Sequence, residues 1–246
     1  MAAKVKRTKT ATWLKRTTSK DRRLLGYVSH QVWDTAIGGA PVVGPVAIGC
    51  NGYAAFLDTA PDYAPPFPVF DLHDVRSKGD PLLNWYSTEK LGKYPDVHAA
   101  LAPVETANIL ATVQFNTADL LAMLKRFQAV TRDHYGAVWL TVTAGRLTVT
   151  TARDRGYKLD CTPMMQDFMP AGTAVAGTVS DLYNSDYLIN ALMGMKHAGP
   201  MSVMRFYRRE GEDQGPLMVT AGYDPYKWDR AAYMMPVVDR HYFPAE

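Results

Sequence analysis

Residues 109–130, ILATVQFNTADLLAMLKRFQAV, change periodicity in mid-stretch. ILATVQF reads as a strand, and Asn116 or Thr117 then offers a helix N-cap with Asp119 in the first turn. In the run that follows, Leu120, Leu121, Leu124 and Phe127 share one apolar helical face, and Lys125 and Arg126 point away from it. Working outward, AVWLTVTAGRLTVTTA (137–152) alternates on either side of Ala144-Gly145, as a β-hairpin does. Strands are expected at 157–161 and 173–179. A second helix starts near Asn184 or Ser185, carries Tyr187, Leu188, Leu192 and Met195 on its apolar face, and stops at Gly199-Pro200. Three strands close the unit: SVMRFYRR, PLMVTAGY and AAYMMPVV. Strand, helix, strands, helix, strands is an α+β order, unlike the strict βα alternation of a nucleotide-binding sheet. The unit occupies 108–246.

The first half, 1–107, follows the same plan less clearly. Helix-like ATWLKRTTSKDRRLL precedes the strands YVSHQVW and PVAIGC, and then NGYAAFLD, in which Asn51-Gly52 is a turn signal. A Pro-rich stretch, PDYAPPFPVF, reads as loop or edge strand. Residues 71–92 should hold the second helix of this half, if it has one. KYPDVHAALAP reads as a turn-like linker.

With 246 residues, 47% of them hydrophobic and 21% charged, the chain has material for one large core or two ordinary ones. No stretch approaches the roughly 20 apolar residues of a membrane span, and the N-terminus lacks the apolar core of a signal peptide, so a cytoplasmic protein is expected. Cys50 and Cys161 have no partner at zinc spacing and read as small apolar residues. Charge is uneven: residues 1–23 hold nine of the 27 Lys and Arg against Asp21 alone, a balance of +8 that leaves −5 for the rest. That asymmetry points to a polyanion near the N-terminal segment, or to a solubilising tail.

Catalytic patterns are absent. Gly38-Gly39 lacks the Lys-Ser/Thr of a phosphate loop, and no HEXXH, GXSXG or metal-ligand cluster occurs, so no cofactor or metal is implied. Asp71, His73 and Asp74 are the nearest thing to an acid-base cluster, and three polar residues in a loop are ordinary.

Three stretches, in order, resemble the bacterial sliding clamp, the β subunit of the replicative DNA polymerase. Gly49-Cys50-Asn51-Gly52-Tyr53-Ala54-Ala55-Phe56 is similar to the clamp Ala-Thr-Asp-Gly-His/Tyr-Arg-Leu segment. Lys93-Tyr94-Pro95-Asp96-Val97 is similar to Phe-Pro-Asp-Tyr, and Tyr233-Met234-Met235-Pro236-Val237 to the terminal Tyr-x-x-Met-Pro-Met. The resemblance runs from about residue 11 to 238. It implies a DNA clamp fold of repeated βαβββαβββ domains, with helices lining one face and sheets outside, here in a shortened two-domain form (1–107 and 108–246). Asn51 replaces the usual acid and Ala54 the usual arginine, which puts details of the peptide site in doubt.

The resemblance implies a non-enzymatic processivity factor that encircles duplex DNA without reading its sequence. Clamp chains have three domains and form a dimeric ring of six; two domains reach six in a homotrimer. Candidate DNA contacts are Lys15, Arg16, Lys20, Arg22 and Arg23 on the first helix, Lys125, Arg126 and Arg132 on the next, and Lys196 on the last. The family's groove for partner peptides maps onto Gly52, Tyr53 and Ala55, onto Pro95, Ala99 and Ala100, and onto Tyr233, Met235 and Pro236. Ala232 and Met234 are expected in the core, and Tyr233, Met235 and Pro236 toward a partner. Expected partners are double-stranded DNA, a polymerase, a clamp loader and other peptide-motif proteins, in the nucleoid or in a host cytoplasm. A clamp-like adaptor that forms no ring, or an enzyme using His73, are the alternatives.

Overall fold

The structure, a computed structural model, describes residues 9–18, 27–37, 40–61, 72–73, 85–86, 94, 96–99, 101, 108–130, 136–154, 159–169, 174–224 and 227–237. The switch from strand to helix expected at 109–130 is there. Strand β6 (Asn108–Asn116) buries Ala111, Val113 and Phe115 on alternate positions. The Asn116 side chain then accepts the N–H groups of Ala118 and Asp119 at 2.9 and 3.4 Å, which starts helix α2 (Thr117–Val130). Leu120, Leu121, Met123, Leu124 and Phe127 are its buried face.

The hairpin of β7 (Ala137–Thr143) and β8 (Arg146–Asp154) turns at Ala144-Gly145, both at positive φ (50° and 73°), as a two-residue hairpin with right-twisted strands requires. With β9 (Leu159–Phe168) and β11 (Val179–Asn184) they form a four-stranded sheet in the order β11-β7-β8-β9. Asn184 caps helix α3 (Ser185–Ala198) by accepting the N–H groups of Asp186 and Tyr187, and the Gly199 N–H returns to Met195 O. β12 (Met201–Arg208), β13 (Leu217–Ala221) and β14 (Arg230–Met234) follow.

Among the described residues, five strands separate the two helices of this half, where the resemblance implied three. The cause is local. β10 (Ala174–Gly177) pairs with β6 in the larger sheet, whereas β11, one residue later, belongs to the smaller one. The chain changes sheets at Gly177, whose φ is +90° and where a Cβ would stand 2.0 Å from Leu110 O.

In the first half, helix α1 (Lys9–Leu14) precedes β1 (Val28–Ile37), β2 (Ala40–Cys50) and β3 (Ala54–Asp58). The helix is shorter than ATWLKRTTSKDRRLL suggested. The Thr17 and Thr18 hydroxyls donate to Leu14 O and Lys15 O, and the Arg16 and Thr17 N–H groups reach back three residues, so the chain tightens into a turn at Lys15. Most of 71–92 lies outside the described residues. Its described positions are not helical: β4 (Leu72–His73) and β5 (Trp85–Tyr86) pair with each other, and β4 pairs with β1. Asp71 and Asp74 also lie outside them.

Both halves contribute to one ten-stranded sheet, β10-β6-β12-β13-β14-β3-β2-β1-β4-β5. The junction is backbone pairing: β14 runs antiparallel to β3, from Arg230 opposite Asp58 to Met234 opposite Ala54. Period-two alternation sorts the side chains. Phe56, Val113, Phe115, Met204, Phe206, Ala232 and Met234 fall on the helix side in one core that α1, α2 and α3 close. Ile48, Cys50, Ala55, Leu57, Tyr207, Met218, Ala231 and Tyr233 fall on the other side, where Tyr94, Val97 and Leu101 pack over them.

Trp13 and Leu14 anchor helix α1 in the core, both buried. Trp13 stacks on Phe56 (centroids 5.1 Å apart), donates Nε1–H to Asn190 O at 3.0 Å, and presses so closely on Gly194 that a Cβ there would lie 2.1 Å from the indole nitrogen. Beside it, Arg230 on β14 donates Nε–H to Asp58 on β3 at 3.0 Å and Nη1 to Gly194 O at 2.9 Å, with its guanidinium 5.2 Å from the Trp13 ring. Both members of the pair are buried, so the bonds between them offset a large desolvation cost. A second buried carboxyl, Asp181, is pushed up by burial against the pull of the Arg208 guanidinium that it accepts.

Candidate functional site

Two surfaces take up the residues singled out in the sequence. The first is the solvent side of the helices, where α3 packs against both α1 and α2. Lys125 and Arg126 are exposed on α2, opposite its buried leucines, and Lys196 is exposed in the last turn of α3. Arg16 is exposed and donates Nη1 to Asn190 Oδ1 at 3.0 Å, so the turn after α1 is fastened to α3. Lys15 is half-buried. Lys20, Arg22, Arg23 and Arg132 lie outside the described residues.

Arg126 is engaged within the chain. Its Nη2 meets Asp167 Oδ2 at 2.9 Å, with side chains 62% and 44% exposed, a surface pair worth about 0.2–1 kcal/mol. Forty-one positions separate the two residues, and no sequence spacing signals the contact. Next to it, Arg146 lies 4.7 Å over the ring of Phe168, another contact that no motif announces.

The second surface is the end of the sheet where β2, β3 and β14 meet. Asn51 Oδ1 accepts the N–H groups of Tyr53 and Ala54 at 2.8 and 2.9 Å, closing a turn that Gly52 enters at φ +93°. The Met235 N–H donates to Tyr53 O at 2.9 Å, and the Val237 N–H to Leu182 O at 2.8 Å, so the segment after β14 passes from the ten-stranded sheet to the four-stranded one. Tyr53 is 59% exposed and Met235 45%; Gly52 is exposed and Pro236 half-buried.

The three motif segments thus come together through one apolar cluster: Cys50 and Ala55 from the first, Tyr94 and Val97 from the second, and Tyr233 from the third. Burial, with a smaller contribution from Cys50, pushes the Tyr94 hydroxyl well above the ordinary tyrosine range. Two expected groove residues belong to this cluster instead of a surface. Tyr233 is only 7% exposed and Ala55 only 4%, because they stand opposite each other in register on the face that Tyr94, Val97 and Leu101 cover. The Tyr233 hydroxyl is pushed up to about 12 by burial, which outweighs the nearby Arg209. Ala232 and Met234 face the helix-side core, as strand alternation requires. Only beyond Met234, where pairing ends, does Met235 reach solvent. Ala99 is exposed after a turn in which its N–H donates to Asp96 Oδ1. Pro95 and Ala100 lie outside the described residues.

One neighbour of this surface was missed by the sequence reading. Leu217 stands opposite Met234, so the loop from β12 to β13 emerges beside Met235. Arg209, Glu210, Glu212 and Asp213 are exposed on it. The GEDQG turn was legible, but not what it adjoins.

No protein-family model matches the sequence, and no curated protein matches it. Solved structures do. The β subunit of Streptococcus pyogenes DNA polymerase is 15% identical with a TM-score of 0.63, over 93% of this chain and 63% of that one. The Caulobacter crescentus β sliding clamp gives 15% and 0.61, over 95% and 64%. The Bacillus subtilis DNA polymerase sliding clamp gives 14% and 0.60, over 94% and 63%. The fold is that of the bacterial sliding clamp. At these identities the likeness concerns fold, and the chain spans about 64% of the length of the clamp chains it matches. Among the described residues no helix is long and apolar enough to cross a membrane, and no group of His, Cys, Asp and Glu is placed to hold a metal.

Proposed function

We propose that this protein is a DNA sliding clamp: a non-enzymatic processivity factor that surrounds duplex DNA and tethers a polymerase and other peptide-motif partners. The observation that carries the reading is the clamp fold over 93–95% of the chain, with Lys125, Lys196 and Arg16 exposed on the helix side. Cations on helices backed by a sheet suit sequence-independent contact with phosphates. The clamp-like units are 1–107 and 108–246. Because the chain spans about two thirds of a clamp chain, three copies restore the six units of a ring. The work of such a ring lies with the nucleoid, or with the DNA of a plasmid or virus in a host cytoplasm.

Light scattering tests the assembly: a trimer has three times the 27.3 kDa of the chain, and a stable monomer would leave only the adaptor role. Retention tests the encircling. A loaded ring stays on nicked circular DNA and slides off after linearisation, whereas a protein that merely adheres is indifferent to the cut. Tyr53, Met235 and Pro236 form the exposed wall of the partner groove in this reading. Met235→Asp should change folding stability by no more than about 0.5 kcal/mol, since the side chain is half in solvent, and should weaken capture of the cognate polymerase.

A further inference from the structure

The outer face of the four-stranded sheet β11-β7-β8-β9 takes no part in the two surfaces described above. Its inner face is apolar: Leu140, Val142, Leu147 and Val149 are buried in the helix-side core. Period-two alternation sends the residues between them outward. Thr141 stands opposite Thr148 and Thr148 opposite Phe168, across three adjacent strands. One step along the same strands, Thr143 stands opposite Arg146. The acids whose side chains are described on these strands, Asp167 and Asp181, stand opposite Val149 and Leu140 and so belong to the inner face. The Arg146 guanidinium lies 4.7 Å over the Phe168 ring, and Phe168 still keeps 44% exposure. Thr143 and Gln166 are exposed beside this stack, whereas farther along the sheet the Thr141 and Ser180 hydroxyls are taken up with each other at 2.8 Å.

A guanidinium stacked on an exposed ring is a platform with two uses: a nucleobase can join the stack, and the cation can meet a phosphate of the same strand. The nearby hydroxyls and amide both donate and accept, so they suit base edges of any sequence. A duplex keeps its bases stacked on one another, out of reach of a ring on a flat face; an unpaired strand offers them. The strand also has a route. β9 is the outermost described strand of the sheet, and its last residues face two ways: Asp167 holds Arg126 of α2 at 2.9 Å on the helix side, and Phe168 faces outward. Exposed Lys125 and Arg126 on one side of this edge therefore lead to Arg146 on the other.

We propose that Phe168 and Arg146, with the polar side chains around them, bind single-stranded DNA that reaches them around the β9 edge from a duplex on the helix side. The choice of DNA as the strand rests on the clamp reading; the stacking platform itself does not. Such a site grips the unpaired strand next to the duplex it enters, and so biases the protein toward a primer–template junction, where a polymerase works. Contacts of this kind tolerate any sequence, because every base has a face to stack.

The test titrates fluorescein-labelled oligothymidylate, oligouridylate and a duplex, each of about 20 nucleotides per strand, into the full chain and its variants by anisotropy at low salt. Phe168→Ala should weaken oligothymidylate binding about tenfold, the size of one lost base–aromatic stack, and leave the duplex within about twofold. Phe168→Tyr, which keeps the ring, should retain the affinity. Arg146→Gln should flatten the dependence of log K on log salt for the single strand by about 0.7, one phosphate contact. Thr143→Glu, an exposed position opposite Arg146, sets a carboxylate against the guanidinium and should reproduce the loss without touching the ring or the core. Unchanged oligothymidylate affinity in Phe168→Ala and Thr143→Glu would overturn the proposal, as would an equal loss on the duplex. Tighter binding of oligouridylate than of oligothymidylate would overturn DNA as the occupant. Retention on circular DNA is measured separately: its loss with oligothymidylate binding intact leaves the platform standing and removes the clamp function, and its presence with no effect of Phe168 removes the platform alone.

Discussion

Asp58→Asn is the sharpest test of how the two halves are joined. Asp58 lies on β3 and Arg230 on β14, the two strands that pair across the junction, with side chains 1% and 11% exposed. The substitution removes the negative charge but keeps the shape. The Gly194 carbonyl at 2.9 Å and the Trp13 ring at 5.2 Å, both uncharged, stay beside Arg230. Removing one charge of a buried pair costs about 3–5 kcal/mol. Because a domain of this size shifts by about 2–4 °C per kcal/mol, the midpoint should fall by roughly 6–20 °C. Circular dichroism melting with calorimetry reads it. The double variant Asp58→Leu, Arg230→Met, which removes both charges, should recover most of the loss. The reasoning fails if Asp58→Asn melts within 2 °C of the parent protein, or if the double variant is as unstable as the single one. The first outcome would mean that water or another group already compensates Arg230. The second would mean that packing around Trp13, not charge pairing, is what the site supplies.

Other consequences are simpler to measure. Gly177→Ala sets a Cβ 2.0 Å from Leu110 O at φ +90°, so the urea midpoint should drop by the equivalent of at least about 2 kcal/mol. Neutralising Lys125 and Lys196 together should flatten the dependence of log K for duplex DNA on log salt by about 0.9 for each cation that meets a phosphate. Asp167→Asn should steepen it by releasing Arg126, and no change from either would argue against the helix side as the DNA surface. Tyr233 has a folded-state pKa raised from 10.0 to about 12, so its contribution to stability is whole below pH 10 and lost as pH rises toward 12. Tyr233→Phe should therefore lessen the fall in unfolding free energy between pH 10 and 12 by about 2 kcal/mol.

Much of the local structure was legible because it depends on neighbours in sequence. The caps at Asn116 and Asn184, the Ala144-Gly145 turn, the buried faces of α2 and α3, and the burial of Ala232 and Met234 each follow from backbone hydrogen bonding and side-chain period within a few residues. The Gly49–Phe56, Lys93–Val97 and Tyr233–Val237 segments marked the resemblance whose fold the solved clamps share.

What only the tertiary structure decided depends on register and on what lies across a sheet. Tyr233 looks like a surface aromatic next to Met235, yet its pairing with Ala55 turns it under Tyr94, while Met235, one residue past the last pair, is left in solvent. Arg126 looks like an available cation until Asp167 arrives from strand β9. Leu14, Lys15 and Trp13 read as the middle of a longer helix; the structure ends it at Leu14 and spends Trp13 on Phe56 and Gly194. Sequence alone determines which residues want burial or a turn, since those preferences act over a few bonds; which side of a twisted sheet they meet, and which distant charge meets them there, is set only when strands choose their partners.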